Sequence, residues 1–502
     1  MTRRLLLVVG GFAVVYLYGS PYFERLRSAN ELPRVLTTQE LVNRGTFRID
    51  ARLGELGSTF DVARTPDGHA YANKAPGVSL LGAPIYGALR AVGVAPGVPE
   101  TTRVLRALVV TLPALLFLYW FHRASARFAP GAAPRRAALV AYGLGSMALP
   151  YGLLFFSHQL AAVLVGGAFI AAMAVVRGET ARPGWCALAA GVLGGLAVLV
   201  DYQALLGTFA VGVYLFARAP ARLGTSVRYA LGGVPSALAL GAYHASAFGS
   251  PLRTAYSFAP DPAHQLGVLG IVGPSGAAFF QALLAPSNGL FVLMPWALLA
   301  LVGAIAIWRS AEARARVGAE ALCAGAVVLA YVVFLGCLVP SFGRGGWSVG
   351  PRYIAVAVPF LGWLAGAGLN ALDGRRVLRA IAHGLVLAGV AIHVLAATTF
   401  PHWPDVFVNP LYELALRLVG DGLVAPSVGS ALGLPLLVAM APLYVAVIAL
   451  ALGLLGICER GRRASTLVAC VIAALLITAY AAFPRTGPRG DRAYAFVTSV
   501  MR

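Results

Sequence analysis

The chain of 502 residues is 59% hydrophobic, and only 12% of its residues are charged. Soluble proteins carry about twice that charged fraction, so the composition excludes a soluble enzyme. The formal net charge of +20 is spread over short loops between apolar segments, which favours membrane orientation over binding of nucleic acid. Five cysteines without CxxC spacing indicate neither a disulfide framework nor a zinc site.

Thirteen apolar segments are long enough, with tilt or thinning, to cross roughly 30 Å of hydrocarbon. We therefore predict an all-α polytopic membrane protein with about thirteen transmembrane helices, in a single integral membrane domain over residues 1–502. The first segment is predicted to be an uncleaved span rather than a signal peptide. The predicted spans are 4–20, 103–122, 137–156, 158–176, 185–200, 203–217, 229–248, 289–308, 318–339, 353–372, 380–398, 431–456 and 465–483.

Arginine placement predicts the orientation of these spans. Arg clusters fall in alternate connections, for example 123–136 and 375–379, and all of them become cytoplasmic if the N-terminus is inside. The connections 249–288 and 399–430 and the polar tail 484–502 are then external. Aromatic residues near span ends are predicted to form interfacial belts; these are Tyr16, Tyr18, Tyr22, Trp296, Trp308 and Trp347.

One long external loop, residues 21–102, is predicted to carry interfacial helices. The stretch Val78–Val94 is apolar but contains Pro84 and Arg90, and an Arg at mid-bilayer costs about 2.5–3.5 kcal/mol on insertion scales. We therefore predict an interfacial or re-entrant helix there. Earlier in the loop, Pro33–Arg44 has mixed helical spacing of apolar residues and is predicted to be a short amphipathic helix ended by Gly45.

The same loop concentrates the charged residues that chemistry would need. Its segment Pro21–Pro76 holds seven of the nineteen acidic residues, and Lys74 is the single lysine among 39 basic residues. A lone Lys favours a site for a compact ammonium with three donors. A lipid-phosphate donor needs a positive partner and an acceptor hydroxyl needs a base. Lys74 is a candidate for the first role, and Glu31 or Asp61 for the second; solvated loop charges are the alternative.

Other candidate residues lie at the ends of predicted spans. His158 could contact substrate or pack against a neighbouring helix, and Asp201 could serve a site or lie in an external turn. Arg352 and Tyr353 open the tenth span, where Arg352 could bind phosphate or reach lipid headgroups. Nearby Gly residues would let the backbone approach a ligand closely; these are Gly345, Gly346 and Gly350.

The loop motifs resemble those of the C-type (GT-C) polyprenyl-phosphate-sugar glycosyltransferases, which include protein O-mannosyltransferases and lipid A aminoarabinose transferases. The resemblance rests on an acidic-Arg motif after the first span and on Tyr71-x-x-Lys74-x-Pro76 before an interfacial helix. It extends over most of residues 1–365, with spans 103–365 most like the family and 366–502 forming C-terminal spans and an external loop. Matching stretches are Asp61–Gly77, Phe156–His158, Tyr243–Pro251, Pro286–Phe291 and Gly345–Tyr353.

The resemblance implies a GT-C-like fold and an inverting transfer of a hexosyl or pentosyl group, made by single displacement at the anomeric carbon. The family's first loop offers an Asp-Glu pair, and here the pair is Asn30-Glu31, so the base role falls to Glu31 or to Asp61. Lys74, Arg34 and Arg352 would bind the donor phosphate, although Arg34 stands one position later than the family motif places it. Substrate contacts would come from His158, Tyr71, Asp201 and Tyr353.

The implied partners are a polyprenyl-phosphate-linked sugar, an envelope glycan, lipid or protein as acceptor, and the bilayer of a bacterial inner membrane. No cofactor is predicted; Glu31 and Asp61 could hold a divalent metal, but the sequence offers no support for one. A transporter or flippase for a lipid-linked sugar is the alternative function, and it requires polar groups along a path through the spans, for which Asp201 and Glu320 are the main candidates. A non-catalytic envelope scaffold is a third.

Overall fold

The structure, a computed structural model, describes residues 3–19, 28–56, 59–340 and 346–501, with the side chains of 3–7 left out. Tyr22 of the predicted aromatic belt and Gly345 of the predicted glycine turn lie outside the described residues. Within them, helices dominate and a single two-stranded sheet is present. The predicted all-α class is confirmed.

Eight of the described helices are long and apolar enough to cross a membrane. Three shorter apolar helices accompany them, Val8–Tyr18, Ala204–Arg218 and Pro295–Arg309, and Arg222–Phe248 forms a further long helix. The total of thirteen spans stays a prediction. The eight are Val98–Phe128, Ser157–Val176, Pro183–Val200, Ala311–Gly336, Arg352–Leu372, Arg376–Thr398, Leu436–Leu455 and Arg463–Ala482.

Two predicted spans are broken. The segment 137–156 forms the helices Ala132–Gly143 and Ala148–Gly152 around a turn, because Gly145 and Ser146 do not continue the first helix. The segment 289–308 forms Leu290–Leu293, Pro295–Ala297 and Leu298–Arg309. Pro295 lacks the N–H that would continue a helix. Hydropathy shows that a segment is apolar, and does not show that it is one helix.

Two of the predicted interfacial aromatics lie in the core instead. Trp296 is fully buried and its indole N–H donates to Gly145 O at 2.5 Å. Tyr16 is also fully buried and donates to Gly143 O at 2.8 Å. Their hydrogen bonds satisfy backbone carbonyls that have no helical partner where helix Ala132–Gly143 ends. The two aromatic side chains therefore stabilise the interruption between the two helices.

The long loop folds over the helix ends as a compact unit. The predicted amphipathic helix is present as Glu31–Arg44, and Gly45 ends it at φ 64° with its N–H donating to Glu40 and Leu41 carbonyls. A helix Asp50–Leu56 and an antiparallel hairpin of Val62–Arg64 and Ala70–Ala72 follow. Helix Gly77–Ala91 occupies the predicted interfacial stretch.

Gly77 sets how closely this loop approaches the bundle. A Cβ at Gly77 would lie 2.5 Å from the carbonyl carbon and oxygen of Leu199, a separation that real Cβ atoms do not adopt. The glycine therefore allows the loop backbone to touch the end of helix Pro183–Val200. This contact places the residues preceding Gly77 beside Asp201, which caps that helix.

The C-terminal segment, predicted as a polar tail, contains the helix Pro488–Met501. Its buried residues Tyr494, Val497 and Met501 pack against the segment around Leu411 and Leu418. Shorter helical elements complete the fold: Ala255–Phe258, Pro262–Gln265, Gly276–Leu283, Leu411–Ala415, Leu416–Gly420, Val428–Ala431 and Tyr480–Ala482.

Candidate active site

The hairpin brings Asp61 and Lys74 together. Its turn contains Pro66-Asp67-Gly68 with Gly68 at φ 86°, a conformation that favours glycine. Val62 pairs with Ala72, and the next pair outwards closes with Asn73 N–H donating to Asp61 O at 3.1 Å. The residue after Asn73 is Lys74, whose Nζ lies 3.2 Å from Asp61 Oδ1. The two candidate residues therefore form an ion pair at the open end of the hairpin.

Asp61 is held by neutral donors as well. Asn30 Nδ2 donates to Asp61 Oδ2 at 3.3 Å and Asn73 Nδ2 to Oδ1 at 3.4 Å. Burial raises the pKa of Asp61, but the charges of Lys74 and Arg352 outweigh it and hold that pKa below the ordinary value. The side chain keeps 21% of its exposure, so Asp61 is ionised at neutral pH and accessible.

A small cavity of about 290 Å³ lies beside this ion pair. It is formed where helix ends from the bundle meet the loop, and most of its charged lining is basic. Its lining residues are Asn30, Arg34, Lys74, Ala75, Ser157, His158, Val200, Asp201, Tyr202, Tyr256, Arg352 and Tyr353. We call it the cationic cavity.

Arg34 and Arg352 both enter the cationic cavity with spare donors. Arg34 donates through Nη1 to Asn30 O at 2.7 Å and to Asn30 Oδ1, and through Nη2 to Ser157 Oγ at 3.2 Å. Arg352 Nη2 lies 3.4 Å from Tyr353 Oη. The Nε of each Arg is buried and lacks a hydrogen-bond partner among the described residues. Such donors favour an anion in the cavity.

His158 and Asp201 form a buried pair on the cavity wall. His158 Nδ1 lies 2.8 Å from Asp201 Oδ2, and Ser157 Oγ donates to the same oxygen at 3.1 Å. Asp201 therefore belongs to the site rather than to a solvated turn. The aromatic ring of Tyr353 meets the His158 ring edge-on at 5.9 Å between centroids.

Glu31 occupies a different environment. Its oxygens accept from Arg106 Nε at 2.7 Å and Nη2 at 2.6 Å, and from Phe155 N–H at 2.7 Å. Glu31 is fully buried and lines neither cavity described here. Burial raises the pKa of Glu31, but Arg106 and the Phe155 N–H together bring it below the ordinary value. Glu31 clamps the loop to helix Val98–Phe128.

A second, larger cavity of about 1320 Å³ adjoins the first. Asp61 lines it, and Asn30 and Arg352 line both cavities. Burial and the nearby Arg106 lower the pKa of His402 in its wall to about 4, so His402 is neutral. The rest of the wall is largely aromatic, and the full lining is Ser28, Ala29, Asn30, Phe60, Asp61, Arg106, Phe156, Gly346, Trp347, Arg352, Phe400, His402, Asp405, Phe496 and Val500. We call it the aromatic cavity.

Two further observations complete the inventory of candidates. Tyr71 lies outside both cavities and packs against Phe248, with 5.4 Å between ring centroids. Among the described residues, no group of three or more His, Cys, Asp or Glu could hold a metal.

Two residues at the site were not predicted from the sequence. Tyr256 lines the cationic cavity, and the centroid of its ring lies 5.8 Å from Lys74 Nζ. Arg106 could have been found in the sequence, because a charged residue inside a predicted span needs a partner of opposite charge.

The long loop, folded over a helical bundle with a charged cavity between them, gives the architecture of a polytopic membrane protein. A scan of family models and a search of curated proteins find no match. Solved structures do match. ArnT from Cupriavidus metallidurans in the apo state superimposes with a TM-score of 0.52, at 18% identity, over 95% of this chain and 76% of that one. The GT-C-like fold implied by the loop motifs is confirmed.

Two other similar structures are the AglB oligosaccharyltransferase from Archaeoglobus fulgidus and the arabinosyltransferase EmbB from Mycobacterium smegmatis. Their TM-scores are 0.46 and 0.48, each at 13% identity. They cover 90% and 96% of this chain, which spans 55% and 43% of theirs.

Proposed function

We propose that this chain is a membrane glycosyltransferase that moves a sugar from a polyprenyl-phosphate donor to a hydroxyl of an envelope glycan, lipid or protein. The observation that carries the proposal is the position of Asp61, which lines the aromatic cavity while its partner Lys74 lines the cationic cavity. The proposed base therefore faces one cavity and the cations line the other. In this arrangement the proton acceptor is separate from the phosphate site.

The cationic cavity suits the donor phosphate. Lys74, Arg34 and Arg352 line it, and a phosphodiester that loses its sugar becomes a phosphate monoester with more negative charge. Because these cations interact more strongly with the leaving phosphate than with the bound diester, they lower the barrier rather than only improving binding. The two unpartnered Nε donors of Arg34 and Arg352 are available for its oxygens.

Asp61 is the proposed base, in preference to Glu31. Both oxygens of Glu31 are held by Arg106, and Glu31 lines neither the cationic nor the aromatic cavity. Asp61 faces the aromatic cavity, where an acceptor hydroxyl could approach. Donor phosphate at Lys74 would also compete with Asp61 for the ammonium, and this competition would make Asp61 a better base once the donor is bound.

The geometry favours inversion in a single displacement. The acceptor hydroxyl would enter from the aromatic cavity, with its proton passing to Asp61, and the lipid phosphate would leave into the cationic cavity. The two cavities meet at Asn30 and Arg352, so the anomeric carbon would lie between nucleophile and leaving group. In the predicted orientation this site faces the external side of a bacterial inner membrane.

The transporter alternative has weaker support. Glu320, its candidate deep in the spans, is bonded to Arg177 Nε at 2.8 Å and to Tyr214 Oη at 2.9 Å, and it lines neither cavity described here. Asp201, the other candidate, belongs to the cationic cavity. Such an ion pair holds neighbouring helices together. It does not provide a polar group to which a transported substrate could bind on its way through the spans.

Mass spectrometry of envelope glycans and lipids tests the proposal. Cells with the chain, cells without it and cells carrying Asp61→Asn should be compared, with Asp491→Asn as a matched control because its carboxylate is 69% exposed. A sugar-bearing species should vanish in the deletion and in Asp61→Asn and persist in the control. Full restoration of that species by Asp61→Asn would refute catalysis at Asp61 and favour the scaffold.

A further inference from the structure

The cationic cavity contains three buried polar atoms that the described residues leave without a partner. They are the Nε of Arg34, the Nε of Arg352 and the Nε2 of His158. All three side chains are more than nine-tenths buried. Unsatisfied buried polar atoms are rare and costly, so three in one cavity indicate a ligand. The Nε atoms of Arg34 and Arg352 carry an N–H and can only donate, whereas the Nε2 of His158 donates or accepts according to the tautomer of the ring.

His158 presents an acceptor. Its Nδ1 faces Asp201 Oδ2 at 2.8 Å, and an ionised carboxylate can only accept, so the ring proton belongs on Nδ1. Lys74, Arg34 and Arg352 line the same cavity, and their charges disfavour a second proton on the ring. The neutral ring then carries a lone pair on Nε2.

The position of the His158 ring is fixed from several sides. Tyr151, Phe156 and Tyr353 meet it edge-on with centroids at 5.6, 6.1 and 5.9 Å. Asp201 is itself held by Ser157, which in turn accepts from Arg34. The hydrogen-bond chain Arg34–Ser157–Asp201–His158 thus couples the proposed phosphate ligand to the orientation of Nε2.

The phosphodiester of a lipid-linked sugar cannot by itself satisfy this cavity. Its oxygens would satisfy the two guanidinium donors, but a phosphodiester has no hydrogen to donate to His158. A sugar hydroxyl has one.

We propose that His158 accepts a hydrogen bond from a hydroxyl of the donor sugar, and that Asp201 is the positioning residue that keeps Nε2 in the accepting state. This subsite rests on the proposed glycosyl transfer, and it defines the substrate class further. The donor is a polyprenyl-phosphate sugar with a free hydroxyl within reach of its anomeric phosphate. A site that binds a hydroxyl in this way rejects a deoxy analogue strongly.

The test compares two constants in the purified full-length protein. One is the KM for undecaprenyl-phosphate donors that carry hexoses, pentoses or amino sugars; the other is the inhibition constant of undecaprenyl phosphate without a sugar. His158→Ala should raise the first by about 10- to 100-fold and leave the second within about twofold. His393→Ala is the matched control, since His393 is also a fully buried His with an unpartnered Nε2, and it lines neither cavity.

Asp201→Asn separates positioning from packing. An amide at position 201 can donate to Nδ1 and turn Nε2 into a donor, so this variant should match His158→Ala in KM with unchanged inhibition by undecaprenyl phosphate. The double variant should be no worse than either single one. A merely structural role for Asp201 would raise both constants together.

Three results would overturn the inference. A parallel rise of both constants in His158→Ala would make His158 a phosphate ligand or a packing residue. Unchanged constants would leave it without a substrate role. If the wild type transfers no sugar, the proposed function fails, and thermal shifts with sugar 1-phosphates against inorganic phosphate then decide the subsite. Discrimination between these probes that His158→Ala does not reduce would refute it.

Discussion

Two carboxylates of the same loop, Glu31 and Asp61, differ in access rather than in charge. Each faces a cation: Arg106 grips Glu31 at 2.6 Å, and Lys74 lies 3.2 Å from Asp61. The Glu31 side chain has no exposure, whereas Asp61 retains 21% and lines the aromatic cavity. The comparison teaches that an ion pair in a loop marks chemistry only where substrate can reach one of its members. The other pair holds the loop in place.

The largest expected effect is on turnover. Asp61→Asn should reduce sugar transfer by about 10²- to 10⁴-fold, the usual contribution of a general base, because the amide cannot take the acceptor proton. The melting temperature should stay close to that of the wild type, since Asn73 and Lys74 can still bond the amide oxygen and only the 3.3 Å bond from Asn30 is lost. Steady-state kinetics in nanodiscs and a thermal unfolding curve measure the two. A large loss of thermal stability instead would show that Asp61, like Glu31, serves to hold the loop in place.

The next effect is on stability. Glu31→Gln should destabilise the protein by about 3–5 kcal/mol, because it removes the negative charge that the buried guanidinium of Arg106 faces. Protein that still folds should keep most of its kcat. The double variant Glu31→Leu/Arg106→Met removes both charges and should recover part of the loss in thermal unfolding. Normal stability with abolished turnover in Glu31→Gln would reverse the comparison.

Lys74→Met should weaken binding of undecaprenyl phosphate by about 10- to 100-fold, as loss of one charged hydrogen bond implies. Arg64→Met is the control, since Arg64 is an exposed cation of the same hairpin. Equal losses in both variants would mean that the ammonium acts only through long-range charge.

The same Lys74 variant should change the pH dependence. Because the pKa of Asp61 is depressed in the folded protein, its ionised form is lost only as the pH falls through that low value. The wild-type acid limb of kcat/KM from Asp61 should therefore lie below the pH range in which an ordinary Asp side chain titrates. Without the cation, the limb should move upwards in Lys74→Met. An unshifted limb would mean that Lys74 does not set the ionisation of Asp61.

The smallest effect is expected at an exposed pair. Arg417 and Asp491 are 44% and 69% exposed, and such pairs contribute at most about 1 kcal/mol. Asp491→Asn should change the unfolding free energy by no more than that, although its helix carries Phe496 into the aromatic cavity. A loss as large as that of Glu31→Gln would show that this helix is held mainly by charge.

Sequence reasoning succeeded where the signal is local. The helix ending at Gly45 follows from a pattern and a single glycine. Asp61 and Lys74 were predicted separately as candidate base and phosphate ligand, and the Pro66-Asp67-Gly68 turn between them explains why they meet. The pairing of Glu31 with Arg106, 75 residues apart, has no local signal because it depends on how the loop docks. The prediction that Trp296 lies at the membrane interface was wrong for a related reason. The apolar character of a side chain does not show whether it faces lipid or another helix.

Rescue by formate tests the assignment of Asp61 as base most directly. The aromatic cavity beside Asp61 admits a small carboxylate at the position of the proposed base, whereas Glu31 serves to hold the loop and takes no part in proton transfer. Formate should therefore restore sugar transfer to Asp61→Ala in a concentration-dependent way and have no effect on Glu31→Ala. Failure to restore Asp61→Ala, or equal stimulation of both variants, would contradict the account.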